Sequence, residues 1–184
     1  MKKIMVFGAS TSRNSINKRL AYFAAGLLEN VSLELLDLND FDMPIYSIDK
    51  EHENGIPEPA LRFKEIVKQS DGIIISFAEH NGSYSAAFKN IFDWISRIEK
   101  STWEAKPMLL MAASPGGRGG RGVLDAATAR MPFNDGKVVA TFSLPFFGKN
   151  FEDGRGVTAP DLLDNLRTAL NQFETVVHSA VEVD

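Results

Sequence analysis

Cysteine is absent from all 184 residues. That removes disulfides, thiolate nucleophiles, iron–sulfur clusters and cysteine-ligated zinc together. Long apolar runs are missing too, since no segment approaches the roughly 18 to 20 apolar residues that a membrane span needs. The opening MKKIMVFGAS has two lysines and an apolar run, but the run is too short for the core of a secretory signal and breaks at Gly8 into polar STSRNS. Basic charge is not in excess: 20 Lys and Arg against 24 Asp and Glu give a formal charge of −4. No concentrated basic surface is visible that would neutralise a phosphate backbone. These absences predict a cytoplasmic protein with neither a membrane nor a nucleic acid as partner. The loop after the first apolar run, Gly8 to Asn17, is neither GxGxxG nor the Walker loop, and the GxSxG elbow, HExxH and the calcium loop are missing from the chain. The hydrolase and metalloprotease chemistries lose their signatures with them, and the first loop lacks the usual dinucleotide and Walker fingerprints.

What is present is a core. The chain is 44% apolar, and its length fits one domain, residues 1–184. Short apolar runs, most of them rich in β-branched residues, recur at Ile4–Gly8, Val31–Asp37, Gly72–Phe77, Pro107–Ala113 and Val138–Leu144. The segments between them have helical periodicity, over Ser15–Glu29, Ala60–Gln69, Ala86–Glu99, Gly122–Met131 and Ala159–Val181. Strand–helix alternation of this kind predicts an α/β three-layer sandwich around a five-stranded parallel sheet, open rather than closed into a barrel. The longest irregular stretch, Asn39 to Pro59, reads as a surface excursion or as a flap that covers ligand.

An open α/β sheet binds ligands beyond the carboxyl ends of its strands, so three loops carry the functional reading. After the first strand comes Ser10-Thr11-Ser12-Arg13-Asn14-Ser15-Ile16-Asn17, which crowds hydroxyls and amides at a helix N-terminus and suits an anion such as phosphate. Ser15 would serve equally as an ordinary N-cap. After the third comes Glu79-His80-Asn81-Gly82-Ser83, either an Asn-Gly turn or a loop that hydrogen-bonds the edge of a planar heterocycle. After the fourth comes Ser114-Pro115-Gly116-Gly117-Arg118-Gly119-Gly120-Arg121-Gly122. Five glycines in seven residues let backbone approach a flat ligand closely, and the two arginines are fork-shaped donors for phosphate; a flexible surface loop is the alternative. His52, His80 and His178 lie in unrelated contexts, which offers a metal no ligand set.

Together these loops resemble the NAD(P)H-dependent FMN reductase family, the flavodoxin-like group that includes chromate, quinone and azo-dye reductases. The family reads G-S-x-R-x-x-S-x-N-x-x-L, then P-E-Y-N-x-S with K-N-x-x-D-W, then S-P-G-G-x-x-G. Here the matching stretches are Ala9 to Leu20, Ala78 to Ser83 with Lys89 to Trp94, and Ser114 to Gly120. The resemblance implies that Ser10, Ser12, Ser15 and Asn17, with nearby backbone from Arg13 to Ile16, hold the FMN phosphate. It places Glu79, His80, Asn81, Gly82 and Ser83 along the isoalloxazine and Ser114, Gly116 and Gly117 at its other edge. Arg118 is the expected contact for the phosphates of NADPH or NADH. Ser12, His80 and Ala78 stand where the family has arginine, tyrosine and proline.

The implied activity passes hydride from a nicotinamide cofactor through FMN to a small acceptor: a quinone, an azo compound, a metal oxyanion or free flavin. The flavin would carry the chemistry, so no catalytic side chain is needed. A flavodoxin-type electron carrier and a non-enzymatic module on the same fold are the alternatives. The resemblance also implies a homodimer or homotetramer. The third helix and the group Phe133, Phe142, Phe146, Phe147 and Phe151 would supply its surface or else pack in the core, and Trp94 reads as core or interface.

Overall fold

The computed structural model describes residues 1–179. Five strands, β1 (Lys2–Ala9), β2 (Val31–Leu36), β3 (Gly72–Phe77), β6 (Pro107–Ala113) and β7 (Lys137–Leu144), form one sheet in the order β2-β1-β3-β6-β7. Every pairing in it is parallel. This is the flavodoxin-like order, and strand order reverses between β1 and β3. The three central strands are apolar runs because both their faces are covered: β3 and β6 are buried along their whole length.

One face of the sheet is covered by α3 (Glu58–Gln69), α4 (Ala86–Ile98) and α5 (Arg121–Arg130), the other by α1 (Ile16–Ala25) and α7 (Pro160–Ser179). The first core is strongly aromatic, with Phe7 edge-on to Phe63 at 5.5 Å and Phe77 edge-on to Phe88 at 5.1 Å. With both faces of the sheet covered, the strand ends are left for function. α1 lies against β1 so tightly that a Cβ on Gly8 would fall 2.3 Å from the Lys18 amide nitrogen. Only glycine allows the helix to start there.

The structure departs from the sequence reading in four places. The stretch from Asn39 to Pro59 is not irregular: it contains a 3-10 turn (Leu38–Phe41) and the short helix α2 (Ile48–Asn54), capped by Ser47 and ended by Gly55 at φ 71°. No residue of α2 is buried, so it has no apolar period to announce it. α1 stops at Gly26, with Leu27, Leu28 and Glu29 beyond it. Two small hairpins appear, β4 (Glu79–His80) with β5 (Ser83–Tyr84), and β8 (Phe151–Glu152) with β9 (Gly156–Val157), together with the one-turn helix α6 (Phe147–Asn150). The five phenylalanines do not form one surface, because Phe142, Phe147 and Phe151 are buried while Phe133 and Phe146 are exposed. The expected end of the last helix at Val181 lies outside the described residues.

Lys64 on α3 is buried, and its ammonium is satisfied by the carbonyls of Ser101 and Thr102 and by Glu104, with Glu99 at 3.4 Å. Lys68 joins Glu99 from outside. Hydrogen bonding from Lys68, with Lys64 nearby, lowers the Glu99 carboxyl to about 2 from an ordinary 4.5. A depressed carboxyl stabilises the fold above its unfolded value and loses that contribution as pH falls through the folded one. Glu99→Gln should therefore lower the urea midpoint at pH 7, and the gap to wild type should close between about pH 4.5 and pH 2.

Candidate functional site

The loops after β1, β3 and β6 meet in a cleft of about 240 Å³. It is lined by Ser10, Ser12, Asn14, Ser15, Ile16 and Asn17 from the first, Ala78, Glu79 and His80 from the second, and Ala113, Ser114 and Pro115 from the third. A larger hollow of about 560 Å³ lies between Asn30 and α7, away from these loops. The small cleft is the one at the strand reversal, where the fold concentrates backbone donors.

The first loop is wound on itself. The Ser10 amide donates to the Gly8 carbonyl at 2.8 Å, Ser12 N–H donates to Ser10 Oγ at 3.1 Å, and Ser15 N–H donates to the Ser12 carbonyl at 3.0 Å. Ser15 caps α1 by accepting from Lys18 N–H at 3.2 Å. The first intrahelical bond runs from Arg19 to Ser15, so the amides of Ile16 and Asn17 stand ahead of the ladder at the positive end of the helix. Ser10 and Ser15 each spend an oxygen lone pair on backbone, which leaves their hydroxyl hydrogens as donors. A cluster of donors with no carboxylate of its own fits a phosphate. Arg13 is exposed and lies outside the cleft lining.

The side chain of Asn17 has another task. Buried at 2% exposure, its Oδ1 accepts from Ser76 Oγ at 2.7 Å and from Ala113 N–H at 2.8 Å, and its Nδ2 donates to the Ala113 carbonyl at 3.2 Å. It thus binds the start of α1 to the ends of β3 and β6, and its backbone amide and second Nδ2 hydrogen are what is left for a ligand.

The second loop is the β4–β5 hairpin, with Asn81 at φ 52° and Gly82 at φ 75° in its two-residue turn. Both positive values are what such a turn demands of Asn-Gly. His80, Asn81, Gly82 and Ser83 are exposed. The Glu79 carboxylate turns away from the loop tip: it accepts from Val123 N–H at 3.2 Å and lies over Gly122, at the N-terminus of α5. Ser85 Oγ donates to the Ala9 carbonyl at 2.8 Å and accepts from Phe88 N–H, so α4 begins against the first loop.

In the third loop the Gly116 carbonyl accepts from Ser114 Oγ at 3.1 Å and from the Phe146 amide at 3.0 Å. Gly116 has open space where a side chain would go, whereas a Cβ on Gly117 would sit 2.8 Å from the Phe146 ring. Gly119 (φ 59°) and Gly120 (φ 72°) are buried, and a Cβ there would strike Ser143 Oγ at 2.3 Å or Ala112 Cβ at 2.8 Å. Two of the five glycines therefore serve packing against β6 and β7. Arg118 opens onto a different hollow.

Sequence reasoning places Asn90 only within the K-N-x-x-D-W match and gives it no role. Its Oδ1 accepts from the Tyr46 amide at 2.9 Å and its Nδ2 donates to the Met43 and Pro44 carbonyls, while Trp94 Nε1 donates to Pro44 at 2.7 Å. The segment before α2 is thereby pinned to α4. Trp94 is core, 1% exposed and edge-on to Tyr46 at 5.0 Å. The spacing Asn90–Trp94 was the available signal, because it puts both side chains on one helical face.

Comparison with known proteins agrees with this architecture. Residues 2–149 match the model of the family described as NADPH-dependent FMN reductase. A 2-hydroxy-1,4-benzoquinone reductase of a Burkholderia species is 35% identical over 119 residues, which are 64% of this chain and 63% of that protein. A quinone reductase of Pseudomonas putida is 31% identical over 72% of this chain and 70% of its own length. Among solved structures, the flavoenzyme NAD(P)H:(acceptor) oxidoreductase FerB of Paracoccus denitrificans superposes with a TM-score of 0.78 at 23% identity, over 97% of this chain and 98% of its own. The fold is that of a flavodoxin-like α/β protein. With the family model matched over most of its length, the chain belongs to the NADPH-dependent FMN reductases.

Asn17→Ala should cost on the order of 3 kcal/mol in urea denaturation, because it strands the Ser76 hydroxyl and both backbone groups of Ala113 without partners.

Proposed function

We propose that the chain is an FMN-dependent NAD(P)H oxidoreductase, one domain over residues 1–184, that reduces a small acceptor. The observation that carries this reading is the cluster of donors at the strand reversal: two buried serines and the first free amides of α1, facing loops from β3 and β6. Ser10, Ser12, Ser15, Asn14 and the amides of Ile16 and Asn17 bind the FMN phosphate. His80, Asn81, Gly82 and Ser83 of the hairpin, with Glu79 behind them, flank one side of the flavin, and Ser114, Gly116 and Gly117 the other. When bound, FMN would supply the two-electron chemistry between NADPH or NADH and the acceptor.

The residues of the chain bind, orient and exclude water. Open space at Gly116 lets backbone carbonyl and amide come close to a flat ring. The Glu79 carboxylate lines the cleft and accepts from Val123 N–H at the N-terminus of α5, where the helix dipole offsets part of its negative charge. Several relatives are named quinone reductases, which supports a quinone as the acceptor; azo compounds, metal oxyanions and free flavin have the same electron-accepting chemistry. Among the described residues no helix is long and apolar enough to cross a membrane, in keeping with a cytoplasmic enzyme drawing on the cell's nicotinamide pool. A homodimer or homotetramer belongs to the same proposal.

The test is an absorbance titration of purified protein with FMN, followed by anaerobic NADPH. Flavin bands should shift on binding and bleach on reduction, without a separate reductase; a protein that binds no FMN would overturn the reading. Ser10→Ala should raise the FMN dissociation constant about tenfold, the worth of one charge-assisted hydrogen bond, while leaving the far-ultraviolet circular dichroism spectrum unchanged.

A further inference from the structure

Two Asn-Gly pairs occur in the chain, Asn54-Gly55 and Asn81-Gly82. An asparagine followed by glycine is open to attack on its own side-chain carbonyl by the nitrogen of the next peptide, because glycine has no Cβ to hinder the approach. This is one reason asparagine is a thermolabile residue. In sequence the two pairs are alike. The fold separates them by what each glycine nitrogen does. At the end of α2 the Gly55 amide donates to the Glu51 carbonyl at 2.9 Å, which closes the last turn of the helix and occupies the nitrogen. α2 is held in turn through Glu51, whose carboxylate accepts from Tyr46 Oη and from Arg97 Nε, each at 2.9 Å.

Gly82 has no such bond. Among the described residues neither its amide nor the Asn81 side chain has a hydrogen-bond partner, and a Cβ added at Gly82 would meet nothing within 4 Å. The hairpin is fastened at its base, where Glu79 accepts from Val123 N–H at 3.2 Å and Ser85 Oγ donates to the Ala9 carbonyl at 2.8 Å, while His80, Asn81, Gly82 and Ser83 are exposed. Its strands are held together by two residue pairs, Glu79 with Tyr84 and His80 with Ser83. A segment with few buried contacts and exposed hydrogen bonds opens at small free-energy cost. Opening lets the backbone of Asn81 rotate away from its left-handed φ of 52° and bring the Gly82 nitrogen to the side-chain carbonyl.

We propose that Asn81 is a site of spontaneous deamidation, placed where the change weakens the hold of the cleft on an anionic ligand. The Gly82 nitrogen, giving its proton to water, attacks Asn81 Cγ. The new C–N bond closes a succinimide ring, the Cγ–Nδ2 bond breaks, and the side-chain nitrogen leaves as ammonia. Water then opens the ring at one carbonyl or the other, to give an aspartyl or an isoaspartyl residue at position 81; nothing is oxidised or reduced. A neutral amide thus becomes a carboxylate beside a cleft whose lining has Glu79 and neither lysine nor arginine, so the added charge meets no compensating cation there. The isoaspartyl form also lengthens the main chain within a two-residue turn, which breaks the pairing of His80 with Ser83. A ligand lying against the hairpin holds it closed and slows the reaction. The effect on flavin rests on the oxidoreductase reading above; the modification itself does not.

The experiment is peptide mapping by mass spectrometry of the purified full chain, aged at mildly alkaline pH without ligand, with saturating FMN, and in urea. In the folded chain without ligand, conversion at Asn81 should run about tenfold faster than at Asn54, the worth of the hydrogen bond that occupies the Gly55 nitrogen. The two rates should converge in urea, where neither nitrogen is bonded. Equal rates in the folded chain, conversion at Asn54 first, or none at Asn81 would overturn the site. With FMN, conversion at Asn81 should slow while that at Asn54 does not, and Asn81→Asp, which copies the aspartyl product, should raise the FMN dissociation constant about fivefold. Bound FMN that leaves Asn81 unprotected, or an unchanged constant in Asn81→Asp, overturns the link to the cleft. A chain that binds no FMN refutes the oxidoreductase reading, while faster conversion at Asn81 than at Asn54 in the same samples upholds the modification site.

Discussion

The side chain of Asn17 is where the parts of the site are made one. A buried amide that satisfies Ser76 on β3 and both backbone groups of Ala113 on β6 fixes the start of α1 relative to two strand ends at once. Ala113 precedes the third loop directly, and the Ser10–Ser15 turn precedes α1, so a shift in either is felt by the other. Gly8 sets the same junction from below, by letting the helix backbone rest on β1. The cleft is thus built by hydrogen bonds within the core, and its loops inherit their positions from the sheet.

Much of this was legible in the chain itself. The five sheet strands were readable because the central ones are buried on both faces and show continuous apolar runs, and α3, α4 and α7 because each has one apolar stripe. α2 was not readable: a helix held by caps at Ser47 and Gly55, with no buried face, leaves no period in its sequence. The three loops were found because ligand sites in open sheets follow the strands. What each side chain does inside them was not, since the partners of Asn17 are 59 and 96 positions away and those of Glu79 lie 44 positions on. Sequence alone leaves the phenylalanine group open between surface and core, and the structure divides it, with Phe142, Phe147 and Phe151 buried and Phe133 and Phe146 exposed. Alternate positions there face a core and the solvent, and composition alone does not say which.

Charge is arranged with the same economy. Glu79 and Ser15 are placed at helix starts, where they stabilise dipoles. Lys64 gathers the turn after α4 around one buried ammonium, far from the cleft. α4 holds the segment before α2 through Asn90, Trp94 and an Arg97–Glu51 contact at 2.9 Å, in which Arg97 and Tyr46 keep the Glu51 carboxyl below its ordinary value. That segment is a docked wall, and its position depends on the same helix that starts at the hairpin.

Glycine-rich loops are commonly taken to be loose. Here Gly119 and Gly120 are closed in by Ser143, Ala112 and the end of β7, and their left-handed backbone admits few alternatives once that packing has formed. The freedom glycine has in the unfolded chain is surrendered when the protein folds. A ligand that meets this turn finds it already ordered, so little conformational entropy remains to be lost on binding, and the density of glycine in the sequence becomes a source of stiffness in the folded molecule.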